Sequence, residues 1–159
     1  MKYLKLLSLL FCTMIISAAS CEKSDEEENT SDEAEWKKTL NVTVESCKRD
    51  GAVLFVDFKI ENKTNKNVSN VYFYYPKLTD NEGTTYVPDH RVGNNQWEGG
   101  DYSEVNSVSA DINFMSYVIY HMRVKDFPTS PNVKTVDAYF AFQPYYSNNY
   151  YDKKKILIN

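Results

Sequence analysis

The chain of 159 residues reads as an all-β domain, two antiparallel sheets packed face to face, behind a short apolar leader and an acidic stretch. Three observations predict this. From residue 39 onward apolar side chains recur at every second position, the period of a strand with one buried face. Clusters of Asn, Asp, Gly, Pro, Ser and Thr, the residues of tight turns, separate these runs. No segment carries a sustained helical stripe.

The first run, 39–46, alternates Leu40, Val42 and Val44 with Asn41, Thr43 and Glu45. Cys47 follows in the opposite phase, which suits an outer-face thiol or a residue tucked under a loop at the strand end, inert burial being the commoner outcome for an unpaired cysteine. Asp50-Gly51 then reads as a tight hairpin into a second run, Leu54, Val56, Phe58 and Ile60. After the turn 62–67, the stretch 68–78 is apolar in both phases, so its buried face is undetermined. Asp80-Asn81-Glu82-Gly83 leads into a short strand at 84–87. A longer run places Ile112, Phe114, Val118, Tyr120, Met122 and Val124 in one phase, against Asn113, Tyr117, His121 and Arg123. Past the turn 128–132, Val136, Ala138, Phe140 and Phe142 alternate with Asp137 and Tyr139, and 155–158 closes the chain. About seven strands result, which suits an immunoglobulin-like antiparallel β-sandwich. Phe58, Phe114, Phe140 and Phe142 are its expected core rings.

Three regions of different charge precede and include this domain. Residues 1–20 hold Lys2 and Lys5, then an apolar segment from Leu6 to Ile16, then Ser17-Ala18-Ala19-Ser20, the pattern of a secretory signal. The apolar stretch falls short of the roughly 20 residues a bilayer-spanning helix needs. Cys21 directly after Ala18-Ala19-Ser20 resembles the lipobox of bacterial lipoproteins, although Ala18 stands where that family prefers Leu. The resemblance implies that Cys21 becomes the acylated N-terminus and anchors the chain to a membrane. Two or three acyl chains hold a protein there durably.

Residues 22–35 carry eight acids against Lys23 alone, with Ala34 their one apolar side chain. Such a segment cannot bury a core and is expected to be a solvated, self-repelling tether spanning 21–37 with the lipidated cysteine. An acidic run just behind a lipidated cysteine resembles the export signal of Bacteroidota-type surface lipoproteins, which implies the outer face of the outer membrane. The alternative is a plain spacer at the periplasmic face.

Within the domain, 38–159, the phrase Phe55-Val56-Asp57-Phe58-Lys59-Ile60-Glu61-Asn62-Lys63-Thr64 precedes Leu78-Thr79-Asp80-Asn81-Glu82-Gly83-Thr84-Thr85-Tyr86. It resembles the telokin-like immunoglobulin-fold domain of bacterial extracytoplasmic lipoproteins, with its Asn-x-Thr turn and its Asp-x-x-Gly hairpin. That family has no single established activity, so the resemblance implies fold and location alone. Residues 91–105 are longer than its pattern requires.

Catalytic signals are sparse. His90 and His121 stand far apart, and no HExxH, GxSxG, P-loop or GxGxxG spacing occurs. His121, beside Arg123 on the polar phase, reads as a solvated strand residue. His90 could join Asp89 and Asp101 on a metal only if the fold gathered them, and neither a metal nor a cofactor is expected. Beyond the acidic tether the chain has 14 acids and 15 bases, which gives no basic surface for nucleic acid. Of its three cysteines, Cys12 leaves with the signal and Cys21 with acylation, so Cys47 has no disulfide partner.

Aromatic loops stand out instead. Trp97 and Tyr102 lie in a Gly-flanked loop at 93–102, and Tyr145, Tyr146, Tyr150 and Tyr151 crowd a second cluster among Gln143, Asn148, Asn149 and Asp152. Flat rings with polar handles among amides and acids compose a binding surface. The expectation is a non-catalytic binding or scaffold module, its ligand a glycan stacked on these rings or, alternatively, a protein partner in the envelope; the lesser alternative is a hydrolase whose paired carboxylates only the fold could reveal.

Overall fold

The computed structural model describes residues 37–99, 107–144 and 148–159. Cys21, the leader, the acidic stretch, Asp101, Tyr102, Tyr145 and Tyr146 lie outside them.

Nine strands form two antiparallel sheets: β1 (Leu40–Asp50), β2 (Val53–Asn62), β3 (Val68–Asp80), β4 (Thr85–Tyr86), β5 (Asp89–Val92), β6 (Val108–Ile112), β7 (Tyr117–Val124), β8 (Thr135–Gln143) and β9 (Asn149–Leu157). One sheet runs β1-β2-β7-β5; the other runs β4-β3-β8-β9, with β6 also paired to β3. A first strand that shares its sheet with strands two, seven and five, facing three, eight and nine, is the immunoglobulin-like arrangement of a sandwich.

The strand count exceeds the expected seven for two physical reasons. The run from Ile112 to Val124 is not one strand, because Asn113–Ser116 turns the chain, with Ser116 N–H donating to the Asn113 carbonyl at 3.2 Å. Phe114 keeps the apolar phase of its neighbours but sits on that turn, 58% exposed rather than in the core. β5 went unread because four residues behind Pro88 are too few to show a period. The closing strand also begins earlier than 155, at Asn149.

Bulges explain the two ambiguous phases. The β1–β2 register slips between Val44 and Ser46. One extra residue there turns Cys47 inward, opposite Val56, where it is buried. Burial pushes its thiol up to about 12, with Asp57 adding to the shift, so Cys47 is an inert core residue. On β3 the register slips between Val68 and Val71 and again between Tyr74 and Lys77. Val71 and Phe73 face inward before the second slip, and Pro76, Leu78 and Asp80 after it. A strand whose inward phase switches midway is apolar in both phases.

The core is an aromatic stack. Phe140 lies 5.2 Å from Phe58, 4.8 Å from Tyr120 and 5.1 Å from Tyr151, and Phe73 stacks on Tyr120 at 4.8 Å. Burying each such side chain stabilises the fold by about 1.5–3 kcal/mol. His90 is also fully buried, its Nδ1 2.8 Å from the Tyr120 hydroxyl.

Two buried polar side chains organise the turns that the sequence marked. Asn62 accepts from Thr64 N–H and Oγ1–H at 2.9 and 2.8 Å, and its Nδ2 donates to the carbonyls of Lys66 and Ile112 at 2.8 and 3.0 Å. Asp80 Oδ1 accepts from the N–H groups of Glu82 and Thr84, both at 2.9 Å, while Oδ2 accepts from the Tyr86 hydroxyl at 2.7 Å. Gly83 completes that hairpin at φ +88°, a conformation that side chains with a Cβ resist.

Candidate functional site

The sandwich has two ends. Leu40 pairs with Asn62 and Val68 with Ile112, so the start of β1, the β2–β3 turn and the β6–β7 turn share one end. Gln143 pairs with Tyr72 and Phe142 with Asn149, which brings the end of β8 and the start of β9 towards it. The β1–β2 and β3–β4 hairpins occupy the other end, where Phe127 N–H donates to the Ala52 carbonyl at 2.8 Å and Asn81 Nδ2 donates to that of Asn132 at 3.0 Å.

The structure divides the six aromatic residues named from the sequence. Tyr102, Tyr145 and Tyr146 fall outside the described residues. Tyr150 and Tyr151 are neighbours on β9, and alternation sends them to opposite faces. Tyr151 is half-buried against Phe58 and Phe140, its rings at 5.5 and 5.1 Å, so most of its ring serves the core. Tyr150 faces out, 53% exposed, with Tyr139 stacked beside it at 6.0 Å and Lys77 Nζ 5.1 Å from the Tyr139 ring.

A groove of about 310 Å³ opens between the first residues of β1 and of β9, edge strands of different sheets. Its walls include Tyr150, Tyr151 and Asp152 from β9, Asn41 and Val42 from β1, and Lys63. A second depression, about 290 Å³, lies on the outer face of the β3-β8-β9 sheet among Tyr72, Tyr74, Gln143 and Asn148. There Tyr74 donates its hydroxyl to Asn148 Oδ1 at 2.7 Å, and Tyr72 is 40% exposed. Tyr74 and Tyr150 pair with the same residue, Ala141, from its two sides, so groove and depression flank one hairpin. The result is a surface of rings interleaved with amide, acid and ammonium groups. Sequence reasoning missed Tyr72 and Tyr139. Tyr72 was hidden by the double phase of β3, whereas Tyr139 stood on the outward phase of its strand and was legible there.

Trp97 lies elsewhere. Glu98 and His90 exchange two backbone hydrogen bonds of 2.9 Å, folding the loop back onto β5. The indole is half-buried on the outer face of the β1-β2-β7-β5 sheet, with the guanidinium carbons of Arg123 and Arg91 at 4.2 and 4.6 Å from its ring centre. Those cation–π contacts occupy ring surface that a ligand would need. Alongside, Asp57 accepts from Ser46 Oγ–H at 2.6 Å and from His121 Nδ1 at 2.7 Å. Burial disfavours the charged carboxylate, but these two hydrogen bonds and the nearby His121 and Lys48 charges outweigh it and hold Asp57 below the usual range. His121 is therefore a partnered, half-buried residue rather than a solvated one. The order serine–acid–histidine also differs from a nucleophilic triad, where histidine must touch the serine to take its proton.

His90 and Asp89 likewise part company, as successive strand residues do. His90 enters the core, whereas Asp89 faces out and binds Arg123 and Lys125 at 2.7 and 2.9 Å. These two cannot ligate one metal, and among the described residues no three His, Cys, Asp or Glu side chains gather into a metal site.

No protein-family model and no curated protein matches the chain. Similar solved structures include a family 123 glycoside hydrolase from Clostridium perfringens, studied for glycolipid glycan hydrolysis, at 10% identity and TM-score 0.43. That likeness covers 76% of this chain and 28% of the hydrolase, so the chain spans little more than a quarter of that enzyme. Another is an uncharacterized β-sandwich protein from Clostridium difficile 630, at 10% identity and TM-score 0.35, covering 73% of this chain and 86% of the other. At these scores neither bears on the chemistry of this chain.

Proposed function

We propose that this chain is a lipid-anchored cell-surface lipoprotein whose β-sandwich binds a glycan without catalysing a reaction on it. The observation that carries the reading is the tyrosine surface around the β8–β9 hairpin. Tyr150 and Tyr72 offer exposed ring area on sheet faces, Tyr139 backs the Tyr150 ring, and Gln143, Asn148, Asn41 and Asp152 stand between and beside them. Sugar rings present C–H faces that stack on aromatic rings and hydroxyls that pair with amides and carboxylates. Anchoring rests on the lipobox-like Cys21, and surface export on the acidic run behind it. A telokin-like lipoprotein domain is the family this reading favours, through the turns that Asn62 and Asp80 organise.

Retention on immobilised polysaccharides tests the binding. Tyr150→Ala is expected to weaken retention about tenfold, equivalent to about 1.4 kcal/mol, while its thermal unfolding stays close to wild type because the ring is largely exposed. Failure of the wild-type chain to be retained on a broad polysaccharide panel would count against the glycan and leave an envelope protein as the partner of this surface.

A further inference from the structure

The turn between β6 and β7 presents two large apolar side chains to solvent. Phe114 is 58% exposed and Met115 84%, with Tyr117 behind them at 55%. The turn is held on both flanks, since Phe114 N–H donates to Asn67 Oδ1 at 3.0 Å and Asn62 N–H to the Ser116 carbonyl at 2.9 Å. Met115 occupies its third position at φ +52°, a place where Gly or Asn is the usual residue. Folding requires neither an exposed methionine nor a strained one there.

Position and charge indicate what this tip meets. Lys63 N–H donates to the Thr39 carbonyl at 2.9 Å, so the chain coming from Cys21 enters the sandwich at the end that carries the tip. Lys37, Lys38, Lys63 and Lys66 are exposed around that entry and the adjoining β2–β3 turn, with Asp111 an exposed acid there. Apolar side chains ringed by lysines match the layered chemistry of an anionic lipid surface, which offers hydrocarbon below charged headgroups. The acidic tether complements the lysines, but with Trp36 as its one large apolar side chain it offers less apolar surface to Phe114, Met115 and Tyr117 than a lipid interface does.

We propose that this end of the sandwich makes a second membrane contact, Phe114 and Met115 entering the lipid interface in which the Cys21 anchor sits while the surrounding lysines meet anionic headgroups. The inference rests on the lipidation proposed above. It orients the domain, with the β3–β4 hairpin pointing away from the lipid.

Site-directed fluorescence on the full chain tests it. Met115→Cys and, at the far end, Glu82→Cys are each labelled with a thiol-reactive fluorophore; Cys47 is buried and does not compete. Each protein is reconstituted into vesicles of phosphatidylcholine and phosphatidylglycerol that contain nitroxide-bearing lipids. The label at 115 should be quenched several-fold more strongly than the label at 82, and adding Phe114→Ser should shrink that difference. A chain that floats with the vesicles while both labels are quenched alike overturns this inference and leaves the anchor standing. Protection of the 115 label from water without lipid quenching assigns the tip to the tether and also overturns it. A chain that does not float, and whose Cys21 takes the label, overturns the anchor and this inference together.

Discussion

Phe140→Ala is expected to lower the stability of the domain by about 3–5 kcal/mol. Phe140 is fully buried and sits at the centre of the aromatic stack, within 5.2 Å of Phe58, Tyr120 and Tyr151 and within 6.1 Å of Phe73 and Phe142. These neighbours come from both sheets, so no single backbone shift can close the cavity that alanine leaves. A domain of this size has about 5–15 kcal/mol in all. Guanidinium unfolding should therefore show a much lower midpoint with an unchanged slope. Phe114→Ala is the matching control, with a change of about 0.5 kcal/mol or less. Equal losses from the two substitutions would contradict the placement of Phe114 outside the core.

The second large effect belongs to Asn62→Ala, expected at about 3 kcal/mol. The Asn62 side chain is buried and ties the β2–β3 turn to the end of β6, donating to the carbonyls of Lys66, Ile112 and Asn113 and accepting from Thr64. Alanine leaves the buried Ile112 carbonyl without that donor and frees Thr64 N–H from its acceptor. Each such unsatisfied group costs about 1–3 kcal/mol. Thr64→Val, which removes one hydroxyl at a partly buried position, should lose about 1 kcal/mol. Comparing the two by chemical unfolding checks whether the amide or the hydroxyl organises the turn.

The sandwich was legible in the sequence because a strand with one buried face leaves a period of two that needs no tertiary information. Ambiguity arose where that period breaks. At Val44–Ser46 one extra residue reverses which phase faces inward, and Cys47 changes face although its sequence neighbours still suggest the outside. Tyr75, at φ +53°, marks the same event on β3. The β1 slip carries neither the Gly nor the Pro that usually announces a bulge, whereas on β3 Pro76 stands inside the slip and was a legible sign of it. Phe114 shows the reverse failure, since the turn at Asn113–Ser116 preserves the parity of the flanking strands and so looks like strand.

The candidate site was legible only as a neighbourhood. Of the Tyr-rich stretch after Gln143, Tyr150 and Tyr151 are described and line the groove, but alternation sends them to opposite faces, and Tyr72 joins from a strand distant in sequence. Trp97 depends on Arg91 and Arg123, which sit on two different strands. Only the pairing of β5 with β7 places their guanidinium groups beside one indole.

Everything proposed about place hangs on the anchor at Cys21, and protease treatment of intact expressing cells, run beside the Cys21→Ala chain, tests it most directly. The wild-type chain should sediment with membranes and lose its β-sandwich to added protease, whereas Cys21→Ala should leave the outer-membrane fraction. A wild-type chain that fractionates as Cys21→Ala does would contradict the anchor, and full protection of an anchored domain from the protease would contradict its exposure on the cell surface.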